Sequence, residues 1–182
     1  MRICRVDDEL ELRLLKYRDA ERLDALKKAS AGNTEAWLYR GSAEEFIRSS
    51  LERFARSQGF WAGLWFQQEL AGVLGLNNVN SATRCAEIDY LLGPAYRGKG
   101  LMTRAVGALV GYAFDEIGLN RIEINPDCRN RKSCAIPERL GFQKEGVLRQ
   151  KLCYGDHFGD QVIYAMLAED WKSRPLSTLR SI

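Results

Sequence analysis

The segment whose residue types most clearly suggest chemistry is rich in glycine and lies between a predicted strand and a predicted helix. It reads Tyr96-Arg97-Gly98-Lys99-Gly100-Leu101-Met102-Thr103. The first turn of a helix presents backbone N–H groups that lack intrahelical acceptors, and it carries a partial positive charge. Glycines let such a backbone approach an anion closely, and two basic side chains stand beside it. The segment predicts a phosphate-binding loop, with a solvated glycine turn as the alternative interpretation.

Two familiar kinds of phosphate loop do not match this segment. It does not follow the pattern GxxxxGK plus Ser or Thr, which is typical of P-loop NTPases. No GxGxxG sequence follows a first strand, as it would in a dinucleotide-binding dehydrogenase. Both classes of protein are therefore disfavoured.

The elements that position this loop follow from the spacing of apolar residues. Alternation at period two predicts strands, and apolar residues at helical spacing predict helices. The predicted strands cover residues 10–15, 60–66, 70–76, 84–92, 121–125, 142–154 and 162–167, with turn clusters at 77–83 and 155–159. The predicted helices run from Asp19 as N-cap to about residue 29 and from Ser42 in a capping box with Glu45 to about residue 57. Two more are predicted over 101–117 and 130–140, and Gly141 is the expected left-handed stop of the last one. This order predicts one domain over residues 1–182, of the α/β (α+β) class, with a mixed sheet flanked by helices.

Composition narrows the classes of function. The chain has 27 basic and 24 acidic residues, a balance that does not favour nucleic acid as a partner. Five cysteines and one histidine predict neither a disulfide framework nor a structural zinc site, and we expect no bound metal. No apolar run reaches the ~20 residues of a membrane helix, and the N-terminus has no apolar signal core, so we expect a cytoplasmic protein without membrane contact.

Three segments, in this order along the chain, resemble the GNAT superfamily of acetyltransferases. Ala86–Tyr90 is similar to the strand that precedes the cofactor loop of that family, and Arg97–Gly100 is similar to its pyrophosphate loop. Asn130–Ser133, followed by Glu138–Phe142, is similar to its second cofactor motif. Residues 133–142 most resemble the RimJ/RimL branch, which acetylates N-termini of ribosomal proteins.

The resemblance implies a fold, a cofactor and an activity. The fold would be a mostly antiparallel central sheet, splayed between the strand at 84–92 and the strand at 121–125. The cofactor would be acetyl-CoA, and the activity would be acetyl transfer to the N-terminal α-amino group of a ribosomal protein by direct attack on the thioester. Acetylation of a small amine, such as a polyamine or an antibiotic, and acyl-CoA binding without turnover stay open as alternatives. Relatives of this branch often pair, so a homodimer through the last strands is a further expectation.

The resemblance also implies roles for individual residues. Glu87 would be the general base, acting through a water, with Asp89 on the same strand face as the next candidate. Ser133 would donate a proton to the leaving thiolate. A backbone N–H in the stretch 90–92 would stabilise the acetyl oxygen. The implied cofactor-binding residues are Tyr90, Leu91, Leu92, Arg97, Gly98, Lys99, Gly100, Leu101, Met102, Thr103, Asn130 and Ser133.

The chain departs from the family pattern at several positions. Pro137 stands where many members carry a catalytic tyrosine, Leu152 where some RimL-type enzymes carry a carboxylate, and Met102 where glycine or alanine is common. Because Pro137 lacks an N–H, the carbonyl of Ser133 should lose its helical partner, and we expect this free carbonyl or a kink to shape the thiol end of the cofactor channel. Aromatic residues over Trp37–Tyr39 are expected in the core or along an acceptor groove.

Overall fold

The computed structural model describes residues 1–30 and 41–174, so the aromatic segment Trp37–Tyr39 lies outside the described residues. An eight-stranded sheet has the order β1-β2-β3-β4-β5-β6-β8-β7. The strands are β1 (Arg2–Arg5), β2 (Leu10–Leu14), β3 (Phe60–Phe66), β4 (Glu69–Asn80), β5 (Cys85–Leu92), β6 (Arg121–Ile124), β7 (Gln143–Tyr154) and β8 (His157–Leu167). The helices are α1 (Ala20–Ala29), α2 (Ala43–Ala55), α3 (Leu101–Asp115), α4 (Arg131–Arg139) and α5 (Ala168–Lys172), with 3₁₀ turns at Tyr17–Asp19 and Pro94–Tyr96.

The sheet is antiparallel except between β5 and β6, which run parallel. Their pairing is short: it begins at Cys85 with Arg121 and ends at Glu87 with Glu123. Beyond that pair β5 continues to Leu92 along β4 only. The two strands therefore diverge after Glu87, which confirms the mixed, mostly antiparallel sheet with a splay between them. A strand edge without a neighbour leaves backbone N–H and C=O groups available to a ligand.

Buried side chains form two clusters, one on each face of the sheet. In the larger cluster, side chains of α3 and α4 pack against alternate residues of the strands. Leu109 of α3 and Ile88 of β5 are two of its members. The smaller cluster joins α1 and α2 to the other face and includes Leu91. Because successive side chains of a strand alternate between faces, Glu87 and Asp89 point to the side of α1 and α2, and Tyr90 points to the side of α3 and α4.

Local signals at the helix ends gave mixed results. The capping box is confirmed: the Ser42 hydroxyl accepts from the N–H of Glu45 at 3.2 Å, and Glu45 accepts from the N–H of Ser42 at 3.1 Å. Asp19 holds the predicted N-cap position of α1, but its side chain does not cap the helix: a 3₁₀ turn precedes α1, and the Asp19 carboxylate accepts from the N–H of Lys16 at 2.9 Å. Gly141 ends α4 with a φ of 71°, as predicted.

Two predicted turns are shorter than expected. The sequence predicts a turn over 77–83, yet β4 continues to Asn80, because Asn78 takes a φ of 52° and makes an irregularity that the strand absorbs. The sequence also predicts a turn over 155–159, yet β8 begins at His157 and pairs it with Tyr154. Here cross-strand pairing overrides the polar and glycine composition, and only Gly155 and Asp156 turn the chain.

Candidate active site

The glycine loop is built as an anion-binding turn at the start of α3. Gly98 and Gly100 have φ values of 78° and 71°, in the left-handed region that favours glycine. A Cβ added at either position would meet no atom of the described residues within 4 Å, so as far as these residues go the space above the loop is open. Gly100 is the N-cap of α3 and supplies no side-chain cap. Among the residues that the structure describes, no acceptor engages the backbone N–H groups of residues 98–103.

The side chains of this loop divide into two kinds. Leu101 and Met102 are 1% and 4% exposed and belong to the larger core cluster, so these predicted binding residues can offer a ligand only their backbone N–H groups. Burial also explains why methionine is accommodated at position 102. Arg97 donates through Nε to the carbonyl of Leu92 at 3.4 Å. Lys99 and Thr103 complete the loop, with Lys99 exposed and Thr103 half-buried.

The register of β5 shows which amides face the splay. The N–H of Gly93 donates to the carbonyl of Ala71 at 2.9 Å, and Leu92 lies opposite Gly72 on β4. In an antiparallel ladder the N–H groups of alternate residues point to the same neighbour. The N–H of Leu91 therefore faces β4, whereas those of Tyr90 and Leu92 face the open edge. Within the predicted stretch 90–92, the N–H of Leu91 is therefore not available to a ligand.

Glu87 lies at the point where β5 and β6 diverge. Its two carboxylate oxygens accept from Asn125 Nδ2 at 3.1 Å and from Asn78 Nδ2 at 3.0 Å. Burial, and secondarily the charge of Asp89, raises the pKa of Glu87, although the two asparagines lower it. A half-buried carboxylate with a raised pKa is a stronger base than a solvated one.

Asp89 is tied to α2 through one intermediate residue. Asn77 donates through Nδ2 to Asp89 at 2.8 Å, and its Oδ1 accepts from Arg53 of α2 at 3.0 Å. Burial raises the pKa of Asp89, while Asn77 and the positive charge of Arg53 lower it. Glu87 and Asp89 thus occupy one face, as predicted, but Asp89 is the more enclosed of the two and its bound oxygen is held by an internal network.

The N-terminus of α4 brings Asn130 and Ser133 together. Asn130 is the N-cap, and its Oδ1 accepts from the N–H of Ser133 at 3.1 Å. Its amide nitrogen and the Ser133 hydroxyl make no hydrogen bond to the rest of the described chain, so both remain available to a ligand. Ser133 is half-buried.

Pro137 lies inside α4, and the carbonyl that it frees is paired. The Tyr90 hydroxyl donates to the carbonyl oxygen of Ser133 at 3.0 Å. The expectation of a free carbonyl is therefore wrong, because a side chain from β5 supplies the missing donor. Burial strongly raises the pKa of Tyr90, which keeps its proton on the hydroxyl. This bond ties β5 to α4 beside the splay.

Removing the Tyr90 hydroxyl tests the strength of that tie. We expect Tyr90→Phe to lower the free energy of unfolding by about 1–3 kcal/mol, because the carbonyl of Ser133 would lose its donor inside the protein. Denaturant unfolding measures this loss. Tyr164→Phe is the matched control: its hydroxyl donates to Glu138 at 2.6 Å, but that glutamate is exposed and can turn to water. Equal stability of Tyr90→Phe and the wild type would show that the bond contributes nothing.

The remaining predicted positions play no part in this cluster. Leu152 is half-buried in the β7–β8 hairpin and pairs with Gly159. His157 is exposed at the first position of β8, beside the hairpin turn, with Nδ1 2.9 Å from Asp156. Cys134 is buried and its Sγ lies 3.6 Å from the carbonyl of Asp127. Burial raises the pKa of the Cys134 thiol, which favours the unreactive protonated form.

Sequence reasoning missed the asparagines that hold the carboxylates. Asn77, Asn78 and Asn125 contact Glu87 or Asp89, and Arg53 reaches the same network from α2. The one local signal was Asn125, which follows the alternating strand Arg-Ile-Glu-Ile as a polar residue at its end. The others depend on pairing between β4 and β5, which residue types alone do not specify.

Residues 1–30 and 41–174 contain no group of His, Cys, Asp and Glu side chains that could hold a metal ion. In the same ranges, no helix has the length and apolar character required to cross a bilayer.

Comparison with known proteins agrees with this geometry. A family model described as "Acetyltransferase (GNAT) domain" matches residues 9–143. The chain is 34% identical over 177 residues to "Putative ribosomal N-acetyltransferase YdaF" of Bacillus subtilis (strain 168), covering 93% of this chain and 97% of that protein. It is 29% identical over 175 residues to "[Ribosomal protein uS5]-alanine N-acetyltransferase" of Escherichia coli (strain K12), covering 90% of each.

A solved structure extends the likeness to a cofactor complex. The Microcin C7 self immunity acetyltransferase MccE in complex with acetyl-CoA and AMP superimposes with a TM-score of 0.82 at 28% identity, covering 89% of this chain and 94% of that one. The residues present here fit acetyl-CoA: an open glycine loop with unpaired N–H groups suits its pyrophosphate, and the splayed edge of β5 offers backbone donors. The chain belongs to the GNAT family of acetyltransferases and is an N-acetyltransferase that uses acetyl-CoA.

Proposed function

We propose that the enzyme acetylates the N-terminal α-amino group of a ribosomal protein by direct attack of the amine on the thioester. The observation that carries this proposal is the end of β5–β6 pairing at Glu87, which places a half-buried carboxylate at the mouth of the splay. The names of the two similar proteins support the choice of acceptor. Ribosomal proteins and acetyl-CoA meet in the cytoplasm, where we expect the reaction to take place.

The loop at residues 97–103 is proposed to bind the pyrophosphate of acetyl-CoA. Its unpaired N–H groups point from the first turn of α3, and the αL glycines remove the side chains that would block approach. Arg97 is held to the end of β5 by its bond to Leu92, so its charge stays beside the loop. The Asn130 amide nitrogen is proposed to bind the pantetheine arm from the opposite side.

Glu87 is proposed to accept the proton of the attacking amine through a water. When bound, acetyl-CoA supplies an acetyl group activated as a thioester. An α-amino group has a pKa of about 8, so a base of moderate strength is sufficient near neutral pH. Asp89 shares the face and contributes negative charge that favours binding of the ammonium form. Its enclosed position and its bond to Asn77 make it the second candidate for the base.

Two backbone N–H groups and one hydroxyl are proposed to stabilise charge during the transfer. The N–H groups of Tyr90 and Leu92 face the open edge and can donate to the acetyl oxygen as negative charge develops. The Ser133 hydroxyl, which the described chain leaves unbonded, can donate to the departing thiolate. The protonated state of Cys134 supports direct attack, since an acyl-enzyme would need a thiolate nucleophile.

A panel of acceptors tests the proposed function. The enzyme is mixed with acetyl-CoA and with peptides that copy the N-termini of ribosomal proteins, and release of the CoA thiol is followed. Each peptide is paired with a control that has a blocked α-amine and an internal lysine, and spermidine is included. We expect turnover only with a free α-amine. Turnover with spermidine alone would favour a small-amine acetyltransferase, and binding of acetyl-CoA without any turnover would favour a non-catalytic module.

The last hairpin supports a further part of the proposal, a homodimer. β7 is an edge strand of 12 residues, and Val147 and Leu148 on it are 44% and 41% exposed. A long unpaired edge with apolar side chains tends to pair with another chain. Light scattering should give a mass twice that of the chain, and a monomeric mass at micromolar concentration would remove this part of the proposal.

A further inference from the structure

Asn125 lies directly after the last residue of β6, at the point where β5 and β6 diverge. This point, the start of the splay, is called the fork below. The pair Glu87–Glu123 is the last one between β5 and β6, so two carboxylates face each other across the strands at this point. Like charges directly opposite each other on neighbouring strands repel. The repulsion must be offset at the fork if both side chains are to stay ionised.

The amide nitrogen of Asn125 offsets this repulsion. It donates to Glu87 Oε1 at 3.1 Å and to Glu123 Oε2 at 3.2 Å, so one NH₂ group holds both carboxylates. The backbone of Asn125 is itself fixed, because Gln161 donates to its carbonyl oxygen at 2.8 Å. The side chain therefore acts from a rigid position at the end of β6.

The other end of the same amide is unsatisfied. Asn125 Oδ1 is buried and has no hydrogen-bond partner within residues 1–30 and 41–174. An acceptor left in this state lowers the stability of the fold, and buried amides in folded proteins are normally paired at both ends. The orientation of the amide is therefore set by its two donor bonds alone, at a cost to stability that a purely structural residue would not need to bear.

We propose that Asn125 is a positioning residue for acetyl transfer, which fixes the carboxylate of Glu87 at the fork in the orientation that accepts the proton. This inference rests on the proposed role of Glu87 as the base. Burial and the charge of Asp89 raise the pKa of Glu87, while Asn78 and Asn125 lower it, because donation to a carboxylate favours its ionised form.

Other charged groups face this fork from three elements. Glu123 is paired through Oε1 with Arg121 at 2.8 Å, and Arg121 also binds Glu145 of β7. Arg53 of α2 reaches Asp89 through Asn77. Within the part of the chain that the structure describes, neither arginine bonds to Glu87, so its asparagine partners are the donors that act on it directly. Of these two, Asn78 is exposed and Asn125 is half-buried.

The test replaces Asn125 by aspartate, which keeps the shape but exchanges the donor for a third carboxylate. The pKa of Glu87 should rise, so the carboxylate form is lost at a higher pH and the acid limb of the kcat/KM profile moves to higher pH. We expect kcat/KM on the acid side to fall about tenfold more than on the alkaline side, with the Kd for acetyl-CoA unchanged. Asn125→Ser, which removes the donors without adding charge, should move the limb in the same direction by less.

The matched control is Asn80→Ser, the same exchange in an exposed turn, where the Asn80 side chain accepts from the N–H groups of Ala82 and Thr83 and a serine hydroxyl can accept in its place. Among the described residues Asn80 makes no side-chain bond to Glu87 or Glu123, so the pH profile of this variant should stay close to that of the wild type. An acid limb that does not move in either Asn125 variant would overturn the inference, as would a weaker Kd for acetyl-CoA that accounts for the whole effect.

A second readout needs no turnover and separates this inference from the proposed function. The carboxyl carbon of Glu87, identified by its absence in Glu87→Gln, is followed by NMR over pH in protein labelled at glutamate. A raised titration in Asn125→Asp supports the positioning role even if every acceptor fails. An unchanged titration contradicts it even if the peptides are acetylated.

Discussion

Replacing both Gly98 and Gly100 by valine will abolish measurable binding of acetyl-CoA. Their φ values of 78° and 71° are costly for a β-branched residue, by about 1–2 kcal/mol at each position. The new side chains would also fill the open space above the loop, where nothing lies within 4 Å of either Cβ. Loss of two or more bonds from N–H groups to a charged phosphate corresponds to at least ~100-fold in affinity. Calorimetric titration measures this loss.

Gly118 provides a control matched in backbone geometry. It has a φ of 78° and equally open surroundings, but it lies beyond the C-terminal end of α3. Gly118→Val should therefore cost similar stability while leaving the Kd for acetyl-CoA unchanged. Wild-type affinity in the Gly98/Gly100 double variant, with folding shown by circular dichroism, would remove the loop from the cofactor site.

Replacing Glu87 by glutamine will lower kcat about 100-fold and leave the Kd for acetyl-CoA unchanged. Glutamine keeps the shape, but its single amide oxygen can accept from only one of Asn78 and Asn125, and it cannot accept a proton. General base catalysis typically contributes about 10²–10⁴-fold to the rate. At high pH the variant should keep part of its rate, because the amine is then deprotonated without a protein base. Steady-state kinetics with an N-terminal peptide, together with calorimetry, separates the chemical step from cofactor binding.

The pH dependence of the rate should distinguish the wild type from Glu87→Gln. Because the pKa of Glu87 is raised by burial, the wild-type rate should increase as pH rises through that pKa and the carboxylate forms. In Glu87→Gln this step should vanish, leaving only the increase that follows deprotonation of the α-amine near pH ~8. Asp89→Asn is the discriminating control: a larger loss of kcat there than in Glu87→Gln would transfer the role of base to Asp89.

Local features of this chain could be predicted from sequence because they depend on neighbouring residues. The glycine loop and the capping box at Ser42 are formed by residues three or four apart, and both lie where the sequence predicts. The αL position of Gly141 follows for the same reason. Positions with these signals need no knowledge of the rest of the fold.

The splay and the details of the site depend on pairing between distant segments. Residue types place Glu87 on a strand, but only the register with β4 shows that Tyr90 and Leu92, and not Leu91, present amides to the open edge. The divergence of β5 and β6 was expected from family resemblance alone, because no residue in either strand breaks the pattern of alternation.

The hydrogen bond that compensates for Pro137 could not be predicted from sequence either. The sequence correctly indicates that the carbonyl of Ser133 loses its helical donor. The replacement comes from the hydroxyl of Tyr90, which is 43 positions away in sequence, and no local pattern connects the two residues. Similarly, the amide of Asn125 meets Glu87 across 38 positions.

The most direct test of the central claim uses a mixture of ribosomal proteins that lack N-terminal acetylation. The mixture is incubated with acetyl-CoA and the enzyme, or with Glu87→Gln, and N-terminal and internal peptides are compared by mass spectrometry. The account predicts one added acetyl group on the α-amine of one or a few proteins, dependent on Glu87 and absent from lysine side chains. Acetyl groups confined to lysines, or an unmodified mixture with an enzyme that binds acetyl-CoA, would contradict it.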